Sequence, residues 1–210
     1  MPMKLSYIVT VLNEEQTIEE HLASLTNQSK LPDEIIIVDG GSTDETIKKI
    51  KNRKITIRLF TKKGNRSVGR NEAIKQATGD IILISDSGCV LNKNWIKNIT
   101  KPFSDQSVDA AAGYYAGDSQ TIFQKSLVPY VLIMPDKLNE KTFLPATRSL
   151  AFKKSLWKKL GGFDENLSHN EDYAFARKLK ENKSNIVVAK NAIVYWKPRK
   201  NLKEACIMFF

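Results

Sequence analysis

The sequence predicts an α/β protein with a mostly parallel central sheet and helices on both of its faces. Through about the first hundred residues, apolar runs of strand length alternate with segments of helical periodicity, and such alternation requires right-handed crossovers between parallel strands. The 210 residues are 41% hydrophobic, which is enough to bury the core of one domain. We therefore expect a doubly wound first half, completed by a smaller and less regular second half.

The strands are predicted from apolar runs that are bounded by turn residues. In the first half they cover residues 4–12, 34–39, 54–60 and 80–85. In the second half the pattern is looser, and strands are predicted at residues 108–115, 149–154, 185–189 and 192–196. Helices of the second half are predicted from Asn92, from residue 155 to Gly161 and over residues 170–182, while residues 116–147 are expected to be irregular or helical between prolines.

The helices of the first half are placed by their end signals. Asn13 is predicted to cap a helix that begins at Glu14. Ser42 and Glu45 have the spacing of a capping box, which predicts a second helix. A third helix is predicted over residues 67–78, with the following glycine as its C-terminal cap.

The net charge is +10, from 33 Lys and Arg against 23 Asp and Glu. This balance favours polyanionic partners, which include nucleic acid, an anionic membrane surface and the phosphates of nucleotides or sugars. Charge alone leaves these partners open, together with the ordinary alternative that the lysine-rich stretches are solvated helix faces. The two cysteines, Cys89 and Cys206, lack the spacing of a zinc site or a disulfide framework.

The two ends of the sequence bear on its location. Nothing at the N-terminus has the pattern of a signal peptide, and no apolar run reaches the roughly 20 residues that span a bilayer. We therefore expect a cytoplasmic protein. The last stretch, ACIMFF at residues 205–210, is apolar; either the natural chain continues, or this stretch packs on the core or on a membrane. With the basic charge, the membrane alternative predicts peripheral contact with an anionic membrane surface at the cytosolic face.

Polar residues follow the predicted strands of the first half at one edge of the sheet. Asp39 ends the second strand and Asp86 follows the fourth, while Asn13 and Glu14 follow the first. In an open parallel sheet, ligands bind outside the carboxyl ends of the strands. One aspartate at a strand end is usually a turn or cap residue, but two of them in one unit favour a binding site.

The common nucleotide-binding motifs do not fit this edge. No G-x-G-x-x-G follows the first strand, which argues against a dinucleotide dehydrogenase. The stretch GNRSVGRN at residues 64–71 approaches a P-loop, but Arg70 and Asn71 replace its lysine and hydroxyl residue. It is better explained as a basic helix start, on which Arg66 and Arg70 lie about one turn apart. These two arginines face either a diphosphate or solvent.

Four stretches, in this order, resemble the family-2 glycosyltransferases of GT-A fold. They are SYIVTVLNEEQTIEEHLASLTNQ, IIIVDGGSTDETIKKI, GRNEAIKQATGDIILISDSGC and LGGFDENLSHNEDYAFARKLKE. The resemblance runs from about residue 4 to about residue 196. It implies one Rossmann-like GT-A domain over residues 1–210, with a nucleotide-binding half at about 1–100 and an acceptor-binding half at about 101–210.

The resemblance and the pattern at the sheet edge together give the residues expected at the nucleotide. They are Thr10, Asn13, Glu14, Asp39, Arg66, Arg70, Asn71 and Asp86. The resemblance implies that Asp39 hydrogen-bonds the base and that Asp86 is the first carboxylate of the family's D-x-D motif, beside the ribose and the metal. It implies Asp172 as the general base, with Glu171 as the second catalytic candidate.

The chemistry of such a donor agrees with these residues. A sugar nucleotide carries a diphosphate leaving group, which a divalent cation on oxygen ligands and basic side chains neutralise. The attacking hydroxyl must lose a proton, which calls for a positioned carboxylate or histidine. Glu171 and Asp172 start a predicted helix, whose dipole favours their ionised form; the alternative is that they only complement the dipole. His169 is a base, a ligand or, most simply, a loop residue.

The sequence departs from the family pattern at two places and lacks one further signature. Gly88 stands where a second carboxylate usually follows Asp86, so Mg²⁺ or Mn²⁺ would be held by one carboxylate, diphosphate oxygens and waters. Tyr195 and Trp196 stand where family members often carry a late histidine. The Q-x-x-R-W signature of processive synthases does not occur, which predicts transfer of one sugar. The resemblance implies a reaction that inverts the configuration of the anomeric carbon, with Asp172 as the general base.

The expected partners are a nucleotide-diphosphate sugar donor and a glycan or lipid-linked acceptor. The acceptor side is expected in residues 116–150, where Thr147 and Arg148 precede a predicted strand, with His169 as a further contact; an ordinary loop is the alternative. Two other functions stay open: a sugar-nucleotide-binding protein without turnover, and a basic nucleic-acid-binding domain. No known nucleic-acid-binding module is visible, so nucleic acid is not an expected partner.

Overall fold

An eight-stranded sheet organises the computed structural model, which describes residues 3–140 and 142–209, with side chains through residue 206. The strands are β1 (Leu5–Val11), β2 (Glu34–Asp39), β3 (Arg58–Thr61), β4 (Ile81–Ile84), β5 (Cys89–Leu91), β6 (Ala110–Gly117), β7 (Leu150–Lys153) and β8 (Ile186–Trp196). Their order across the sheet is β3-β2-β1-β4-β7-β6-β8-β5.

Helices connect these strands. They are α1 (Ile18–Thr26), α2 (Thr46–Lys51), α3 (Arg66–Gln76), α4 (Trp95–Thr100), α5 (Ile122–Val131), α6 (Lys154–Lys159), α7 (Glu171–Glu181) and α8 (Leu202–Phe209), with short 3₁₀ helices at Lys101–Ser104 and Pro135–Lys137. Within the described residues, none of these helices has both the length and the apolar character needed to cross a bilayer. The predicted contact of the apolar end depends on side chains from residue 207 onward, which lie outside the described ones.

The predicted α/β class is confirmed. β1, β2, β3 and β4 pair in parallel, and an apolar cluster lies on each face of the sheet. The alternation along β1 shows this division, because Tyr7 and Val9 belong to one cluster and Ile8 to the other. The carboxyl ends of these four parallel strands therefore lie at one edge of the sheet.

The second half joins the same sheet and brings two more segments to that edge. β7 runs antiparallel to β4, with Leu150 opposite Ile84, so the residues just before β7 lie beside the carboxyl end of β4. β6 is antiparallel to β7, and β8 is parallel to β6. β8 therefore runs in the direction of β4, and its last residue, Trp196, reaches the same edge.

Two predicted helix starts are wrong. α1 begins at Ile18 and not at Glu14, and Asn13 takes the left-handed backbone conformation with φ of 55°. Its side-chain oxygen accepts a hydrogen bond from the Thr43 backbone N–H at 2.9 Å instead of capping a helix. α2 begins after Glu45 without a side-chain cap. Short polar side chains stabilise turns as well as helix caps. Here they form contacts between the loop after β1 and the loop after β2 instead of capping helices.

Several element boundaries also differ from the prediction. β5 was not predicted, and the two late strands form one strand, β8, with a register shift opposite Gly113 and Tyr114. α4 begins at Trp95 rather than Asn92, and β3 begins later than predicted. α3 ends at Gln76, so Gly79 is not its cap. A Cβ on Gly79 would lie 2.5 Å from the Ser6 hydroxyl, so a glycine is needed here for the chain to pack closely against β1.

A polar network at the amino edge of the sheet centres on Glu34, the first residue of β2. Its carboxylate accepts hydrogen bonds from the Ser6 hydroxyl at 2.6 Å and from the backbone and hydroxyl of Thr78 at 2.6 and 2.8 Å. Arg58 pairs with it at 2.7 Å. Burial alone would raise the pKa of Glu34, but these hydrogen bonds lower it to about 2.

A carboxyl pKa of about 2 in the fold represents on the order of 3 kcal/mol of stability. Glu34→Gln is therefore expected to lower the free energy of unfolding at pH 7 by about 2 kcal/mol, because the amide oxygen of Gln still accepts some of these hydrogen bonds. The unfolded chain binds a proton at Glu34 near its ordinary pKa, so this stabilisation is present above about pH 4.5 and is lost as the pH falls towards 2. Urea unfolding from pH 7 to pH 3 measures both effects. Glu45→Gln, in an exposed pair with Lys48, is the control and should change stability by less than about 0.5 kcal/mol; equal effects would contradict the assignment.

Candidate active site

A cleft of about 520 Å³ opens at the carboxyl edge of the sheet. The first half lines it with Thr10 at the end of β1, Glu14, Arg66 and Arg70 from the first turns of α3, and Asp86 after β4. The second half adds Arg148 before β7 and the segment 196–199 after β8. The edge predicted from the strand pattern is thus where the cleft lies.

Arg70 joins three separate segments of the chain at the floor of the cleft. Its guanidinium is buried and donates to Glu171 Oε1 at 2.6 Å, to Asp86 Oδ1 at 3.1 Å and to the Thr147 hydroxyl at 2.9 Å. The Phe163 ring covers it at 5.5 Å. We call Arg70, Asp86, Thr147 and Glu171 the Arg70 cluster; it ties the start of α7 to the tip of β4.

The two adjacent acids at the start of α7 have different surroundings. Glu171 is buried and ion-paired with Arg70. Asp172 is half-buried, and its Oδ1 accepts a hydrogen bond from the next backbone N–H at 2.8 Å. Among the described residues, no Lys, Arg or His pairs with Asp172. The Asp172 carboxylate thus has no cationic partner among these residues, whereas that of Glu171 is held by Arg70.

The cleft is strongly basic. Six of its lining residues are cationic, namely Lys62, Arg66, Arg70, Arg148, Lys197 and Arg199, against the two acids Glu14 and Asp86. Within the described part of the chain, Arg66 and Arg199 are exposed and their side chains form no hydrogen bond or ion pair. Unpaired cations around a concave surface attract multiply charged anions such as a diphosphate.

Other predicted residues do not line the cleft. Asp39 is buried, and its carboxylate accepts from the Gly41 and Ser42 backbone at 3.0 Å and from the Ser42 hydroxyl at 2.6 Å, which is a turn. The Asn71 amide bonds Phe163 O at 2.9 Å and Trp157 at 3.1 Å, so it fixes the 157–163 segment.

Three further predicted residues have other surroundings. Asn13 and His169 are exposed, and His169 contacts Ser168. Thr147 is buried in the Arg70 cluster.

A buried pair supports the loop that carries Asp86. His21 donates from Nδ1 to the Cys89 carbonyl at 2.7 Å, and its Nε2 accepts the Tyr7 hydroxyl proton at 2.8 Å. The Cys89 carbonyl can only accept, so Nδ1 carries the proton, and burial lowers the pKa of His21. This pair was not predicted from the sequence. The basic residues after Trp196 were not predicted at the cleft either, although Lys197, Arg199 and Lys200 follow the last strand closely.

The described residues contain no group of three or more His, Cys, Asp or Glu side chains that could hold a metal ion. Asp86 is 38% exposed in its side chain, and among the described residues its partners Arg70 and Thr147 engage Oδ1 and leave Oδ2 free. One free carboxylate oxygen fits a hard cation that takes its other ligands from a bound diphosphate and water. The site thus suits a metal that arrives with an anionic ligand.

The chain is similar to known proteins in sequence and in fold. The family model described as "Glycosyl transferase family 2" matches residues 6–160. The poly(ribitol-phosphate) beta-N-acetylglucosaminyltransferase TarS of Staphylococcus aureus is 31% identical over 208 residues, covering 92% of this chain and 35% of TarS. The O-antigen chain rhamnosyltransferase RfbN of Salmonella typhimurium is 28% identical over 192 residues, covering 84% of this chain and 61% of RfbN.

The structure of TarS residues 1–349 in complex with UDP-GlcNAc superposes with a TM-score of 0.77 at 26% identity, over 95% of this chain and 60% of that one. This match confirms the predicted GT-A fold. The chain spans about a third of TarS and 61% of RfbN. Because the family model covers residues 6–160, more than half of the sequence, the chain belongs to glycosyl transferase family 2.

Proposed function

We propose that this protein is a glycosyltransferase that moves one sugar from a nucleotide-diphosphate sugar to a hydroxyl of a glycan or lipid-linked acceptor. The observation that carries this proposal is the basic cleft at the sheet edge, with Asp86 and Arg70 at its floor. The match to a TarS structure that contains UDP-GlcNAc supports a nucleotide-sugar donor.

In this proposal the donor lies along the cleft with its diphosphate among the arginines. Thr10 and Glu14 contact the nucleoside, and Asp86 lies near the ribose and the diphosphate. Arg66 and Arg199 neutralise phosphate charge from the two rims, and Arg70 keeps Asp86 in place. Asp39 and Asn71 act through the turn and the segment that they hold, because their polar atoms are already bonded.

A divalent cation, Mg²⁺ or Mn²⁺, is part of the proposed donor site. Asp86 would hold it through the carboxylate oxygen that Arg70 leaves free. When bound, such a cation neutralises charge that develops on the leaving diphosphate. Gly88 supplies no second ligand, so we expect the metal to bind tightly only together with the nucleotide.

The proposed reaction is a single in-line displacement that inverts the anomeric centre. The acceptor oxygen attacks the anomeric carbon, its proton passes to Asp172, and the bond between that carbon and the phosphate oxygen breaks. The leaving diphosphate takes the bonding electron pair, and the cleft arginines stabilise its charge. Glu171 is a positioning residue here, since it binds Arg70 and not a substrate.

The acceptor side is proposed in the second half of the chain, near Asp172 and His169. The two relatives are named for acting on a poly(ribitol-phosphate) and on an O-antigen chain, so we propose a surface polysaccharide or its lipid-linked precursor as acceptor. Cytoplasmic location with peripheral contact to an anionic membrane, through the basic surface, is part of the same proposal.

The proposal is tested by calorimetric titration of UDP, GDP and dTDP and their sugars, each with and without Mn²⁺ or Mg²⁺. We expect one nucleotide to bind, with higher affinity in the presence of metal. Asp86→Ala should lower that affinity at least tenfold, which is about 1.4 kcal/mol. Asp105→Ala, in an exposed turn outside the cleft lining, is the matched control. Absence of binding to every nucleotide would refute the proposed function.

A further inference from the structure

Arg148 lies on aromatic rings at the wall of the cleft. Its guanidinium carbon is 5.5 Å from the centre of the Tyr115 ring and 5.3 Å from that of the Trp196 ring. Both distances are within the range of a cation–π contact, which is strongest where water is excluded. Tyr115 belongs to β6 and Trp196 ends β8, so two strands of the sheet fix the position of this cation. We call these three residues the Arg148 clamp.

The guanidinium N–H groups of Arg148 have no acceptor in the described part of the chain. Among the described residues, none forms a hydrogen bond or an ion pair with its guanidinium, although Arg148 is only half exposed. Arg70, in contrast, uses two of its nitrogens for three partners. Rings that lie over a guanidinium cover its plane but not its edge, where five N–H groups point outwards. This edge suits two oxygens of one phosphate.

The clamp adjoins groups that the proposed function assigns to the donor and to the acceptor. Arg148 lines the same cleft as Asp86, and its neighbour Thr147 bonds Arg70. Burial raises the pKa of the Tyr115 hydroxyl, Arg148 opposes that rise and Asp172 adds to it. The Arg148 charge also acts on Cys89, beside the Asp86 loop. One fixed cation is thus in electrostatic reach of both ends.

We propose that Arg148 is a phosphate-binding residue, held by Tyr115 and Trp196 so that its N–H edge binds two phosphate oxygens where donor and acceptor meet. The proposal rests on the proposed function, since it assigns a specificity-determining residue within the same cleft. Two substrates can supply the phosphate: the leaving diphosphate of the donor, or a phosphate group on an anionic acceptor.

The test compares the wild type with Arg148→Gln and Arg148→Lys by calorimetry in EDTA, so that metal does not bridge the ligand. The donor probes are inorganic pyrophosphate and UDP. The acceptor probes are ribitol 5-phosphate and ribitol, titrated into protein saturated with UDP. Arg177→Gln removes an arginine from an exposed pair on α7 and is the matched control. Thermal melts establish that each variant is folded, and Arg148→Lys keeps the charge if Arg148→Gln does not fold.

If the donor supplies the phosphate, Arg148→Gln lowers the affinity for pyrophosphate and for UDP at least tenfold. Arg148→Lys recovers only part of this loss, because lysine lacks the planar guanidinium. If the acceptor supplies the phosphate, Arg148→Gln leaves the affinity for UDP unchanged and lowers only the affinity for ribitol 5-phosphate. The proposal is overturned if every affinity stays within twofold of the wild type, or if the wild type binds none of the phosphates. Binding of pyrophosphate that depends on Arg148, without binding of UDP, would uphold the clamp and reject UDP as the donor nucleotide.

Discussion

Asp172→Asn is expected to lower the rate of sugar transfer by about 10³-fold, within the 10²–10⁴ that a positioned general base contributes. The amide keeps the size of the side chain but cannot accept the acceptor's proton. Donor affinity should stay within about twofold, because Asp172 does not line the cleft that the arginines form. Initial rates of nucleotide release and of product formation, measured with calorimetric donor binding, check both parts.

The control for this variant is Glu181→Gln, which removes an exposed carboxylate at the other end of α7. It should leave the rate unchanged. Glu171→Gln is informative as well, since Glu171 binds Arg70 at 2.6 Å and is expected to act on the donor site rather than on the proton. A rate for Asp172→Asn within about fivefold of the wild type would contradict the assignment of the base. A parent chain that binds donor without turnover would instead favour the binding-protein alternative.

Arg70→Met is expected to lower the free energy of unfolding by about 3–5 kcal/mol, as removal of one partner from a buried ion pair does. The side chains of Arg70 and Glu171 are only 3% and 6% exposed, so Glu171 would be left as an unpaired buried carboxylate. Asp86 and Thr147 would lose the hydrogen bonds from Arg70 as well. Urea unfolding at pH 7 measures the loss of stability, and UDP titration measures the accompanying loss of donor affinity.

A double variant separates the two roles of Arg70. Arg70→Met with Glu171→Gln removes the buried charge, so stability should recover to within about 2 kcal/mol of the wild type. Donor affinity should not recover, because Asp86 still lacks the guanidinium that positions it. If Arg70→Met alone changes stability by less than about 1 kcal/mol, the Arg70 cluster does not hold the two halves together.

The sheet edge was predictable because apolar runs and the polar residues that end them are local signals. Asp86, Glu14 and Arg70 were each predicted at this edge, and the structure places them in one cleft. The convergence on Arg70 was not predictable in the same way. Arg70 and Glu171 are 101 positions apart, and their contact depends on where the second half of the chain places the start of α7.

The errors have physical reasons as well. Asn13 and Ser42 carry the same short polar side chains that cap helices, and nothing local shows that they bond a neighbouring loop instead. The cationic segment after Trp196 reaches the cleft only because β8 runs parallel to β6, which one sequence does not reveal. Arg148 was expected as an acceptor contact. The aromatic rings that contact it belong to Tyr115 and Trp196, which are tens of residues away in the sequence, so this contact was not predictable locally.

A crystal structure of this chain with UDP and Mn²⁺ would test the central claim most directly. We expect the nucleoside between Thr10 and Glu14, the metal on Asp86, and the diphosphate within hydrogen-bond distance of the cleft arginines. A nucleotide bound away from the carboxyl edge, or a diphosphate that contacts neither Asp86 nor any of these arginines, would contradict the assignment of the cleft as the donor site.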